Sequence, residues 1–127
     1  MKIKEKKKKR NIVKHKIELY DISIKELGAI AKGEPLIRDN SIVPIENYTQ
    51  DSPSPRVYTF CTDNRILASQ IHYFENADLM YHEATFIESL KDRALATSHS
   101  TALDAAKIAK RSDVGKLLIG HLSARYE

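Results

Sequence analysis

Arg56-Val57-Tyr58-Thr59-Phe60-Cys61-Thr62-Asp63 is the stretch on which the fold turns. Its first six residues are rich in β-branched and aromatic side chains, as in a strand, and Thr62, Asp63 and Asn64 stop it. Downstream, Ile66, Leu67, Gln70, Ile71 and Phe74 keep nearly to one helical face. Residues 78–81 form a second short apolar run, ending at His82 and Glu83. A helical segment follows around residues 86–95. After His99 and Ser100, Thr101 and Asp104 make a capping-box signature. Ala102, Ala105, Ala106 and Ala109 then give a narrow stripe suited to close packing on a sheet. Gly115 ends that unit, residues 116–119 read as a third strand, and Gly120 and His121 close it. This alternation predicts an α/β fold with right-handed crossovers and three parallel strands. Their near-continuous apolar runs suit strands covered on both faces. Three such strands alone leave open edges and an uncovered face, so a homodimer or larger assembly is expected.

Upstream, Asn40, Pro44, Asn47, Asp51, Pro53 and Pro55 mark residues 39–55 as an irregular connection. Residues 1–33 read as two short helices, the first around Ile12, Val13, Ile17, Leu19 and Tyr20. The second runs through Leu27, Ile30 and Ala31 and stops at Gly33-Glu34-Pro35. The expected division is a basic helical arm over 1–38 and an α/β body over 39–127.

Charge follows the same division. Residues 1–16 hold nine Lys/Arg against one Glu, a net of +8; the whole chain carries +4, so residues 17–127 carry −4. The cluster Lys6, Lys7, Lys8, Lys9 and Arg10 would attract phosphate backbones through counterion release, although a lysine run is also a common solvated tail. At 127 residues, 42% apolar and 30% charged, the chain fits one globular domain. No apolar run approaches the ~18 residues that cross a bilayer. The N-terminus lacks the apolar segment of a secretory signal. One cysteine, Cys61, allows no internal disulfide, and a reducing, cytoplasmic setting is expected.

The three strands end at Asp63, His82 and His121. Ligands of open α/β sheets bind beyond the carboxyl ends of strands, so a carboxylate and two imidazoles are expected on one rim. These donor types suit zinc or a similar divalent ion. Each also has a structural explanation: aspartate as a turn former, a lone histidine as a hydrogen-bonded support, Cys61 as a small buried apolar group. His15 and His72 have no partner at metal-ligand spacing. Spacing alone leaves both readings open.

A resemblance shifts the balance. Tyr58-Thr59-Phe60-Cys61-Thr62-Asp63 resembles the ribonuclease Z segment that bears a metal-bridging aspartate. Asp78-Leu79-Met80-Tyr81-His82-Glu83-Ala84-Thr85-Phe86 is similar to that family's HEAT block, and His99-Ser100-Thr101-Ala102 with Ala105, Ala106 and Ala109 to its HST block. Leu118-Ile119-Gly120-His121-Leu122-Ser123-Ala124-Arg125-Tyr126 resembles the block carrying the last histidine ligand. The resemblance implies the C-terminal half of a metallo-β-lactamase αββα fold, from a zinc-dependent endoribonuclease that removes 3′ trailers from precursor tRNA. It implies that Asp63 bridges two zinc ions, that His121 binds one, and that His82 donates a proton to the leaving group with Glu83 beside it. His99, Ser100 and Thr101 would line the place where the RNA end arrives, and Ser123 and Arg125 would touch its backbone. Residues 1–33 resemble the distal part of a flexible tRNA-binding arm, with Asp21-Ile22-Ser23-Ile24 in place of a Gly-Pro-rich segment.

Two parts of the family pattern are missing: the motif His-x-His-x-Asp-His and a further histidine before the arm. The five histidines stand at 15, 72, 82, 99 and 121, no two of them two residues apart. The chain is therefore expected to be a fragment or a truncated reading frame that begins where the arm is entered. With Asp63 and His121 as the ligands for two ions, and about three protein ligands needed per catalytic zinc, weak metal binding and no cleavage by the chain alone are expected. The competing reading is a non-catalytic RNA-binding module using the basic arm. A hydrolase of small esters is disfavoured by the HEAT and HST blocks.

Overall fold

The computed structural model describes residues 1–124 and resolves two compact units: residues 6–55, and Met1–Glu5 with the chain from Arg56 onward. This grouping differs from a boundary after residue 38. The first strand, β1 (Lys2–Lys4), is not helical and does not belong with the arm's helices.

The unit of residues 6–55 contains β2 (Asn11–Ile12), α1 (Lys14–Leu19), α2 (Ile24–Lys32), the hairpin β3 (Ile37–Arg38) and β4 (Ser41–Ile42), and β5 (Thr49–Gln50), which pairs antiparallel with β2. Both expected helices are present. Ser23 and Glu26 form a capping box at the start of α2, and Gly33 ends it at φ +99°, the left-handed turn that glycine adopts without a Cβ penalty. Ile22, Ile30, Leu36 and Tyr48 make a small core. Arg38 ties it together, donating to the carbonyls of Tyr20 at 2.8 Å and Asp21 at 2.9 Å and pairing with Glu26 at 2.7 Å.

In the other unit, β6 (Val57–Cys61), β7 (Leu79–Glu83) and β8 (Leu117–Gly120) are parallel neighbours, as expected. Cys61 pairs with His82, and His82 with Ile119, in register. The lysine-bearing β1 adds antiparallel to β6, with Lys2 opposite Thr59, an edge chemistry that discourages further pairing. The expected first crossover helix is shorter than its pattern suggests: a 3-10 turn (Ala68–Gln70) leads into α3 (Ile71–Phe74). Likewise Phe86 makes an isolated bridge to Thr101, and a 3-10 turn (Glu88–Leu90) precedes α4 (Lys91–Ala96). α5 (Ala102–Arg111) begins on the expected capping box, the Thr101 hydroxyl accepting from the Asp104 amide at 3.1 Å.

The α5 stripe is Ala105, Ile108 and Ala109; Ala106 is exposed. With Phe74 and Met80 the last two residues form the core on one side of the sheet. Phe60 and Tyr81 stack at 4.7 Å from neighbouring strands. Apolar side chains remain open on the last strand, Leu118 at 54% and Ile119 at 43% exposure. Gly120 is required beside Tyr81: a Cβ there would lie 2.5 Å from the phenol oxygen. Among the described residues no helix is long and apolar enough to cross a membrane.

Candidate functional site

Strand ends build the site. Asp63 leaves β6 at φ +48° and His121 leaves β8 at φ +57°, left-handed conformations in which Asp and His are enriched and which are frequent at functional sites. Asp63 Oδ1 and His121 Nε2 come within 3.1 Å. The third member is His99, which follows α4 and whose ring stacks on that of His121 at 5.5 Å between centroids. One donor atom from each of Asp63, His99 and His121 lies within 4.8 Å of the others.

The expected trio is thereby corrected in one member. Successive residues of a strand point to opposite faces, and His82 falls with Met80 on the helix-covered side, where it has no exposed surface and its ring meets Phe74 edge-on at 6.1 Å. Its Nδ1 bonds the carbonyl of Glu83 at 2.7 Å; Nε2 has no partner of hydrogen-bonding geometry, although the Cys61 thiol lies beside it. A ring enclosed in this way cannot hand a proton to a ligand on the rim.

Glu83 faces the site. It is completely buried, and its carboxylate accepts five hydrogen bonds: Oε1 from His99 Nδ1 (3.0 Å) and from the amides of Asn64 (3.0 Å) and Ser100 (3.2 Å), Oε2 from the hydroxyl (2.6 Å) and amide (3.1 Å) of Thr85. Burial pushes its pKa up, but the bonds from Thr85, His99 and Asn64 outweigh that and hold the carboxyl below its ordinary value.

An ionised Glu83 fixes the protons around it. The Thr85 hydroxyl has one hydrogen and directs it to Glu83, so toward His121 Nδ1, at 2.9 Å, its oxygen accepts. His121 Nδ1 therefore carries a proton. In the neutral ring Nε2 then presents a lone pair to Asp63 Oδ1, two acceptors facing each other. A metal ion between them would relieve that opposition. Donor atoms held at about 2.0–2.1 Å from a tetrahedral zinc lie about 3.3 Å apart, close to the spacing found. The donor set fits a divalent metal. By the same reasoning His99 Nδ1 donates to Glu83, leaving its Nε2 without a proton in the neutral ring.

The remaining expected site residues divide. Ser100 and Thr101 are buried and their hydroxyls engaged, Ser100 donating to the Asn64 carbonyl (2.8 Å) and Thr101 to Glu88 (2.7 Å), so neither side chain lines a binding surface. Half-buried Ser123 donates its amide to the Thr85 carbonyl at 3.2 Å. Arg125 lies outside the described residues. In the other unit Lys6, Lys7 and Lys8 are exposed, whereas Lys9 donates to the Ala31 carbonyl and Arg10 is held by Thr49 and Asp51. Sequence reasoning missed Thr85 and Asn64 as supports and His99 as a member of the candidate metal cluster. The HEAT and HST blocks contain Thr85 and His99, but not the information that one carboxylate joins them.

Known proteins resemble the chain over nearly its whole length. The chain is 37% identical over 124 residues to ribonuclease Z of Parabacteroides distasonis, covering 97% of this chain and 41% of that protein. Ribonuclease Z of Porphyromonas gingivalis is 39% identical over 124 residues with the same coverages, and that of Phocaeicola vulgatus 43% identical over 112 residues, 87% of this chain and 36% of the relative. The chain thus spans about two-fifths of the length of these curated relatives. No family model matches it. Among solved structures, the short form of human tRNase Z superposes with a TM-score of 0.52 at 28% identity, covering 68% of this chain and 31% of that one. A long-form RNase Z from yeast gives a TM-score of 0.53 at 27% identity, covering 61% and 10%. With the four sequence blocks and the parallel strand order, these likenesses make the chain a member of the ribonuclease Z family, corresponding to the C-terminal part of its metallo-β-lactamase fold.

Proposed function

We propose that the chain supplies part of a zinc-dependent endoribonuclease that removes 3′ trailers from precursor tRNA. Asp63 and His121 would hold metal, and Glu83, through Thr85 and directly, would keep His121 and His99 in their working tautomers. The carrying observation is the 3.1 Å approach of Asp63 and His121 beside His99. In such sites a bound metal activates water and stabilises charge on the scissile phosphate. The proton-donor role that the family resemblance gives His82 passes in this reading to His99, whose Nδ1 is anchored by Glu83 and whose ring would have to carry a second proton, on Nε2, to give one up. Lys6, Lys7 and Lys8 would meet the RNA backbone.

Three donor atoms are at most one ion's worth of protein ligands, so the chain alone should bind metal weakly and cut nothing. Incubation with precursor tRNA and excess zinc tests this; trailer release at the discriminator overturns it. Cobalt(II) absorption tests the ligands: the signal should vanish in Asp63→Ala and His121→Ala and persist in His82→Ala. A signal indifferent to Asp63 and His121 sinks the metal assignment. The exposed Lys6–Lys8 run favours a second reading, a non-catalytic RNA-binding module, which salt-dependent tRNA binding without bound metal would support. We also propose a homodimer that covers Leu118 and Ile119, in the cytoplasm; a monomer by light scattering would refute the pairing.

A further inference from the structure

The α/β unit contains a cationic cleft. Residues 56–127 carry nine Lys/Arg and nine Asp/Glu and no net charge, yet a cleft of about 350 Å³ is walled by Arg65, Lys91, Lys107 and Arg111 with Asp104 as its single carboxylate. Intervals of 26, 16 and 4 residues separate these cations in the sequence, so no charge run announces them. Lys91 is neutralised by Glu88 at 3.0 Å and Asp104 at 3.5 Å. Arg65, Lys107 and Arg111 are exposed and, among the described residues, without an ion pair.

Ordinary explanations cover only part of this. Arg111 ends α5, where a cation complements the helix dipole. Lys107 lies mid-helix and Arg65 in a loop, and neither has that reason to be there. Unpaired cations gathered in one concavity repel each other and suit a polyanion. Leu67 and Leu95, 43% and 45% exposed, line the same cleft. Such apolar groups can receive the flat faces of bases and have no polar atoms to read their edges.

Position favours a nucleic-acid strand over a small anion. Arg65 is two residues from Asp63, which limits their Cα separation to about 7 Å. The intervening Asn64 is bonded to both Glu83 and Ser100, so the metal cluster and the cleft are held on one rigid loop. We propose that this cleft is a second contact for the RNA strand, in which Arg65, Lys107 and Arg111 bind phosphodiester groups just beyond the metal site, without sequence preference. The inference rests on the ribonuclease reading and extends it to residues outside the four blocks.

The test uses the full chain and a labelled oligouridylate, with binding followed by fluorescence anisotropy across a salt series. Each single-strand phosphate contact contributes about 0.7 to the slope of log K against log salt. Arg65→Ala/Lys107→Ala/Arg111→Ala should make the slope shallower by about 2, and Lys107→Ala alone by about 0.7. Lys110→Ala, the same charge change on the same helix but outside the cleft, should leave it unchanged. A wild-type slope in the triple variant, or equal effects of Lys107→Ala and Lys110→Ala, overturns the cleft while leaving the ribonuclease reading intact. If the unmodified chain binds no oligouridylate, the RNA reading and the cleft fall together. Circular dichroism melts that match the unmodified chain confirm that these surface variants are folded.

Discussion

The two faces of β7 hold adjacent ionisable residues, His82 and Glu83, both without exposed surface. Burial is the same; the surroundings are opposite. Glu83 accepts five hydrogen bonds and joins the loops after β6, β7 and α4 into one support. His82 makes one bond of full hydrogen-bonding geometry, to a neighbouring carbonyl, and its Nε2 lies beside the Cys61 thiol. A buried charge becomes an organising centre only when enough donors converge on it. A buried imidazole with so few polar partners joins no loops together. The contrast separates site from core within a single strand.

The sharpest way to break the contrast is Glu83→Ala. It leaves the amides of Asn64, Ser100 and Thr85 without their acceptor, and a loss of about 3–5 kcal/mol is expected from chemical denaturation. A loss below about 1 kcal/mol would mean that the carboxylate organises nothing. In cobalt titrations the milder Glu83→Gln should weaken metal binding by about 10–100-fold, because an amide presents donors to donors and frees both histidine tautomers. Gly120→Ala comes next: the added methyl must displace the Tyr81 ring, at a cost of about 1–3 kcal/mol and with a changed Tyr81 environment in near-ultraviolet dichroism. His82→Leu should change stability by less than about 1 kcal/mol, since one hydrogen bond is lost and one orphan nitrogen removed. A large loss there would give His82 a role beyond packing.

The smallest effect is expected at an exposed carboxylate. Glu26 is held down to a pKa of about 2, first by its bond to Arg38 and then by Ser23. A depressed acid pKa stabilises above its ordinary value of 4.5, and that contribution disappears as pH falls from 4.5 toward 2. Carboxyl NMR titration should find Glu26 protonating well below 4.5, and Arg38→Ala should raise its pKa while the Ser23 bonds still hold it below that value.

Much of this was legible before folding was considered. The three parallel strands, the Thr101 capping box, the two arm helices and the strand-end positions of Asp63 and His121 follow from short apolar runs and turn residues. Ala106 and Ile108 show the limit: both stand near the helical stripe, and packing on Met80 and Phe74 selected Ile108. Lys2–Lys4 shows another, since three charged or isolated residues carry no strand signal and pair only because the β6 edge is available.

By itself, then, the sequence determined what is written over a few consecutive residues: element type, caps, strand ends, the lysine run and the family blocks. Folding decided which side each residue took and which distant residues met. Register across the sheet turned His82 inward and Glu83 toward the site, and a shift of one residue would have exchanged them. Long-range closure brought His99 to His121 and Arg65 to Lys107. Such meetings depend on loop paths and packing between segments tens of residues apart, for which local periodicity carries no record.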